Sequence, residues 1–260
     1  MELDNKVCVI TGAASGIGAA TCRAFAAKGA RVVVADINVE GARQVAEEIG
    51  GLAIACDVSV EAEVNNLVAE SEKQFGPIDL FFNNAAVATG GNPLETPIDV
   101  WQDQWNINVM AHVYAVRAVL PGMLARGQGY LLHTASMAGI LTSQGNLPYA
   151  TTKHAVVGLA EWLSISYHDK GIRVSLLAPL GVRTPMLGDI SSPFAVSAAG
   201  PIKEPEDVAD MVVLGVQSES FLILTDPIAQ TWMERKTNDP ERWLTGMRRL
   251  QVKMDSAPNA

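Results

Sequence analysis

Val7-Cys8-Val9-Ile10-Thr11-Gly12-Ala13-Ala14-Ser15-Gly16-Ile17-Gly18 decides how this chain is read. Residues 7–10 form a short run rich in β-branched side chains, which predicts a strand. Glycines at 12, 16 and 18 follow at once, and residues 16–28 carry helical spacing that ends at Lys28-Gly29. A strand that turns through glycines into a helix gathers backbone amides and the positive end of a helix dipole at one point. A pyrophosphate can approach the backbone there without meeting side chains.

Outward from this turn the pattern repeats. Strands are predicted at 31–35, 52–55, 79–82, 129–135 and 172–177, with helices at 39–49, 61–75, 98–125 and 148–169 between them. Strand–helix alternation predicts a parallel sheet covered on both faces, and the right-handed crossover makes it doubly wound. The expected fold is therefore α/β, a single-domain Rossmann-like doubly wound parallel sheet spanning residues 1–260. After residue 185 the alternation stops. Residues 186–202 are rich in Gly, Ser, Ala and Pro and predict a substrate flap. A helix at 205–217, a last strand at 221–224 and a C-terminal helical extension over 228–252 follow, with Asp239-Pro240-Glu241 as a helix start.

Asp36 ends the second strand, 18 residues beyond Gly18. A carboxylate at that point can bind both ribose hydroxyls of an adenosine. The same charge repels a 2′-phosphate, and residues 12–18, 37 and 38 hold no Lys or Arg to offset it. The expected cofactor is NAD rather than NADP.

The 260 residues are 48% apolar, enough for a large core, and carry a net charge of −9. Such an acidic chain lacks the basic face of a nucleic-acid binder and is ill suited to anionic membranes. The start, Met1 to Lys6, has no signal-peptide pattern, and no apolar run approaches a membrane span. Cys8, Cys22 and Cys56 have no paired spacing and read as reduced, buried thiols of a cytoplasmic protein. His112, His133, His154 and His168 show no metal-ligand spacing, so no metal is expected. Trp101, Trp105, Trp162, Trp232 and Trp243 read as packing or interface residues.

Tyr149 and Lys153 lie four apart at the start of a predicted helix and so share a face. An ammonium ~4 Å from the phenol, at an effective dielectric of ~20, favours tyrosinate by about 4 kcal/mol. That would bring a group of pKa ~10 near neutrality and make it a usable base. Ser136 ends the preceding strand, where the carboxyl edge of a sheet faces its crevice, and can hold a substrate oxygen beside Tyr149. Asn108 places a polar amide within an otherwise apolar helix.

Residues 11–18, Asn83-Asn84-Ala85, Asn108, Ser136 and Tyr149 to Lys153 resemble, in order and spacing, the short-chain dehydrogenase/reductase family over about residues 4–185. The resemblance implies an oxidoreductase acting on CH–OH groups. It implies Tyr149 as general acid/base, Lys153 lowering its pKa and binding nicotinamide ribose, Ser136 orienting the substrate and Asn108 holding a relay water. It also implies NAD contacts from Gly12, Ser15, Gly16, Ile17, Gly18, Asp57, Val58, Asn84, Ala85, Val182 and Thr184. Three positions depart from the family pattern. Ala86 and Leu180 stand where Gly is usual, and Thr134-Ala135 precedes the serine in place of a hydroxyl pair.

Gln144, Leu147, Leu180 and Met186, with Ser136 and Tyr149, are the expected substrate wall. The flap adds Leu187, Ile190, Phe194 and Val196, and between 184 and 202 the only charge is Asp189. Such a wall favours a neutral, hydrophobic secondary alcohol or ketone. The competing readings are a ketoacyl-type carbonyl reductase and a non-catalytic NAD-sensing protein. The apolar girth of the helices near 98–125 and 148–169 predicts a homodimer or homotetramer built through them.

Overall fold

The computed structural model describes residues 1–188 and 199–256. Seven parallel strands form one sheet: β1 (Val7–Thr11), β2 (Arg31–Asp36), β3 (Leu52–Ala55), β4 (Leu80–Asn83), β5 (Gly129–Thr134), β6 (Ile172–Ala178) and β7 (Leu222–Leu224). Their order is β3-β2-β1-β4-β5-β6-β7. β1, β4 and β5 are buried along their whole length. Both faces are covered, so these strands read as continuous apolar runs rather than alternating ones.

Helices α1 (Gly16–Ala27), α2 (Val39–Ile49), α3 (Glu61–Phe75), α4 (Ile98–Trp105), α5 (Ala111–Arg126) and α6 (Leu147–Tyr167) follow successive strands. α7 (Pro205–Gln217), α8 (Pro227–Asn238) and α9 (Pro240–Asp255) complete the chain. On one face α3, α5 and α6 bury Leu67, Met123, Val156 and Leu163 against the sheet. On the other, α1 and α7 bury Phe25, Val208, Val212 and Val216. Phe25 is wholly enclosed, so cutting it to alanine would cost about 3–5 kcal/mol.

Two expectations are corrected here. The helix expected over 98–125 is not one regular helix, because a π turn, Asn106–Met110, separates α4 from α5. The wider turn carries Asn108 inward, to full burial. The continuous stretch Ile98–Arg126 is also long and apolar enough to cross a membrane by length and composition, although no such run was expected. Half of that window is buried in this fold, where α5 packs on α3, β4 and β5. A helix covered on several sides is apolar around more of its girth than a surface helix. The C-terminal extension is two helices, and Asp239, read as part of a helix start, divides them: its side chain accepts the Arg242 amide and caps α9.

Candidate active site

β1 and β4 are neighbours, and the chain leaves them in opposite directions. The crevice at their carboxyl ends is where a doubly wound sheet binds ligands. A cleft of about 590 Å³ opens there, within the size range of small-molecule sites.

The glycine turn forms its floor. Gly12 has φ +62°, and a Cβ on it would stand 2.7 Å from the Ala85 Cα. Gly18 lies beneath the turn, where a Cβ would run into the Gly12 carbonyl and stand 2.8 Å from Asn84 Nδ2. Thr11 Oγ1 accepts the Asn84 and Ala85 amides at 3.0 and 3.2 Å. Asn84 Nδ2 donates to the Thr11 and Gly12 carbonyls, and Thr134 Oγ1 donates to Asn84 Oδ1 at 3.1 Å. Three strand ends are thus joined by side chains whose polar atoms are all employed, which holds the turn open for a ligand.

Asp36 accepts the Ala14 amide at 2.9 Å and the Asn38 amide at 2.8 Å. It therefore caps its own turn and still has lone pairs to offer a ribose. Ser15, Gly16, Ile17, Asp57, Val58, Val182 and Thr184 line the cleft with it, as does Ile37, which the sequence reading passed over. Asp57 Oδ1 accepts both the amide and the hydroxyl of Ser59, so its carboxylate is committed to the local turn.

At the other end, Pro148 starts α6 and places Tyr149 in its first turn, with Lys153 one turn on. Lys153 is fully buried and donates to the Thr134 carbonyl at 2.8 Å. Its Nζ stands 5.6 Å from the Tyr149 ring centroid. The expected electrostatics need correction. Burial raises the Tyr149 pKa, and the Ser136 hydroxyl lowers it only in part. Burial also depresses Lys153, to about 7. The expectation assumed a charged, solvated lysine close to the phenol. In the fold the ammonium is dry and directed at a main-chain carbonyl, so desolvation outweighs attraction for both groups.

Ser136 Oγ accepts the Ala138 amide at 3.0 Å and lies 3.5 Å from the Pro179 carbonyl. Asn108 sits behind the cleft wall. Its Oδ1 accepts the Val87 amide, and its Nδ2 donates to the Val87 carbonyl and to Thr152 Oγ1, all within 3.1 Å. The amide is therefore spent on pinning the strip that carries Ala86, Val87 and Ala88 along the cleft. Among the described residues its Oδ1 accepts only the Val87 amide and so keeps a lone pair for a further donor.

Of the expected substrate wall, Ser136, Gln144, Tyr149, Leu180 and Met186 line the cleft. Leu147 does not line the cleft and is 37% exposed. Ile190, Phe194, Val196 and Asp189, and with them most of the flap, fall outside the described residues; Met186 and Leu187 are at the rim. Where the flap base is described, residues 181–183 bond to 199–203. Trp232 of α8, read as a packing residue, also lines the cleft. A Cβ on Gly200 would touch both Trp232 and Leu180 at 3.1 Å, so these side chains meet over that glycine. No local pattern could have shown this, because the contact joins parts of the chain about fifty residues apart. Nor could it show that His112 and His133 stack, with their Nδ1 atoms 2.9 Å apart. Burial holds both rings neutral, His133 at about 3.

The short chain dehydrogenase family model matches residues 6–193. Cyclohexanol dehydrogenase from Acinetobacter sp. is 35% identical over 231 residues, covering 85% of this chain and 92% of that protein. A 2,5-dichloro-2,5-cyclohexadiene-1,4-diol dehydrogenase from Sphingobium indicum is 40% identical over 190 residues, 72% of this chain and 76% of that one. The crystal structure of a short chain dehydrogenase/reductase from Burkholderia phymatum in complex with NAD superposes with a TM-score of 0.84. It is 29% identical and covers 93% of this chain and 96% of its own. The sheet order, the glycine turn at its switch point and the convergence of Ser136, Tyr149 and Lys153 agree with these matches, and the chain belongs to the short chain dehydrogenase family.

Proposed function

We propose that this chain is an NAD-dependent dehydrogenase that oxidises a neutral, hydrophobic secondary alcohol, with Tyr149 as the general base. The observation that carries the reading is one continuous cleft. It has a glycine turn and Asp36 at one end, Ser136, Tyr149 and Lys153 at the other, and a wall of Leu141, Leu180, Met186 and Trp232 beyond them. The residues fit a dinucleotide: the turn has no room for side chains at Gly12 or Gly18, and Asp36 stands where a ribose would meet a carboxylate and a 2′-phosphate would meet repulsion. When bound, NAD supplies the electron-pair acceptor for the hydride leaving the carbinol carbon.

The protein's part is positioning and proton transfer. The Ser136 hydroxyl holds the substrate oxygen, and Tyr149 takes its proton as the carbonyl forms. Lys153, held by Thr134, keeps a donor beside the phenol and the ribose. The phenol starts from a raised pKa, so Tyr149 needs positive charge nearby to act as a base at neutral pH. The cyclic alcohol and diol that name these relatives support a neutral ring substrate. In keeping with this, the described residues of the cleft offer no guanidinium to a carboxylate or phosphate, and their one ammonium, Lys153, is already bonded.

The test is a panel of neutral cyclic alcohols of rising size, hydroxy acids and sugars, read by NADH absorbance. The expected result is kcat/KM rising with apolar size. A preference for charged or polyhydroxylated compounds overturns the substrate reading and leaves hydride transfer in place. The same proposal includes a homo-oligomer through α4–α6, since Trp162 and Ile165 stand exposed on α6. It also includes a cytoplasmic location, in keeping with three free, buried cysteines whose thiols burial holds protonated.

A further inference from the structure

We propose that Lys236 is a positioning residue for the substrate: it clamps the wall segment 140–144 to the C-terminal helical hairpin and so sets how tightly alcohols are held. This rests on the alcohol reading above. Leu141, Thr142, Ser143 and Gln144 line the cleft, and Trp232 lines it one helical turn before Lys236 on α8. Lys236 Nζ donates to the Ile140 carbonyl and, at 3.2 Å, to the Leu141 carbonyl. It also lies 5.0 Å from the Trp243 ring centroid, on α9. An ammonium has three donors, and this one spends two on the main chain of the wall and turns its charge to an aromatic face.

What lies behind the wall makes the clamp matter. An open groove of about 440 Å³ runs between Ile140 and the hairpin residues Thr237, Pro240, Trp243 and Leu244, with Lys236 bridging it. The side chains of Ile140 and Leu141 pack against Met137, Ala178 and Ala229, but on the side of the groove the segment is joined to the hairpin through Lys236. A second tie, Gln144 Nε2 to Met247 Sδ at 3.9 Å, is a weak contact to a thioether. The near end of the segment is fixed independently. The Met137 amide donates to Pro179 and the Leu141 amide to Met137. Ser136 therefore keeps its place without Lys236, and only the part of the wall that touches the body of the substrate is released.

The test compares Lys236→Met and Lys236→Arg with the wild type by two readouts. One is steady-state kinetics with cyclohexanol and a bulkier neutral secondary alcohol. The other is amide hydrogen exchange over 141–144, which needs no substrate. Loss of a charge-assisted bond to the wall should raise KM about tenfold in the Met variant and leave kcat within about threefold. NAD affinity should be unchanged, exchange over 141–144 should quicken, and Lys236→Arg should restore most of both. A Met variant with wild-type exchange and KM overturns the proposal. So does one in which kcat and NAD affinity fall along with alcohol affinity, since that is general damage. If the wild type oxidises none of the alcohols, the activity reading fails while exchange still decides whether Lys236 clamps the wall.

Discussion

The two ends of the cleft are built by different means. The cofactor end is made at the tips of β1, β2, β4 and β5. There Thr11, Asn84, Thr134 and Asp36 bond to main chain and to one another, and glycines leave no spare volume. The substrate end is made outside the sheet. Leu180 is held by one bond from its amide to Thr225, Gln144 by a thioether contact, and 140–141 by Lys236 across an open groove. The first is a rigid socket whose tolerance is set by backbone sterics. The second is a wall of side chains that can be exchanged without moving a strand. One fold can therefore hold a constant cofactor and vary its substrate.

Four substitutions sharpen or break that contrast. Tyr149→Phe acts at the junction of the two ends and should have the largest effect, a kcat loss of about 10²-fold or more with NAD affinity kept. Turnover above about a tenth of wild type at saturating alcohol would remove Tyr149 from its role as base. Gly18→Ala should come next. Its methyl meets the Gly12 carbonyl and Asn84, which predicts about 1–3 kcal/mol of destabilisation and weaker NAD binding. Thermal melting and NAD titration that match wild type would show the socket to be softer than it looks. Asp36→Ala should narrow the preference for NAD over NADP by about tenfold, since a binding carboxylate and a repulsive charge leave together. A wild type that already works faster with NADP at equal low concentration contradicts the assignment. Trp232→Ala should do least, raising KM for bulky alcohols about fivefold and leaving NAD binding alone. If NAD binding falls as far as alcohol binding, the two ends are not independent.

Much of the cofactor end was legible because its determinants are local. A strand, three glycines and a helix start are contiguous in the chain, and Asp36 follows one βα unit later. Helices near 39–49, 61–75 and 205–217 were placed closely, because capping and periodicity act within a few residues. The π turn at Asn106–Met110 was not, since its apolar pattern is that of an ordinary helix. Leu147 was assigned to the wall from its position between Ser136 and Tyr149, but nearness in sequence does not decide which way a helix-start side chain points.

By itself, the sequence determined the parallel sheet, the switch-point crevice and the glycine turn, which follow from strand–helix alternation and residue type, and its family resemblance pointed to Ser136, Tyr149 and Lys153. Only the tertiary structure decided that Tyr149 and Lys153 are both buried, which pushes the phenol's pKa up and the ammonium's down, because desolvation depends on what packs around a group rather than on what adjoins it in the chain. It alone committed the Asn108 amide to Val87 and Thr152. And it alone brought Trp232 and Lys236 to a wall formed some ninety residues earlier, since a contact between distant segments leaves no periodic trace in either.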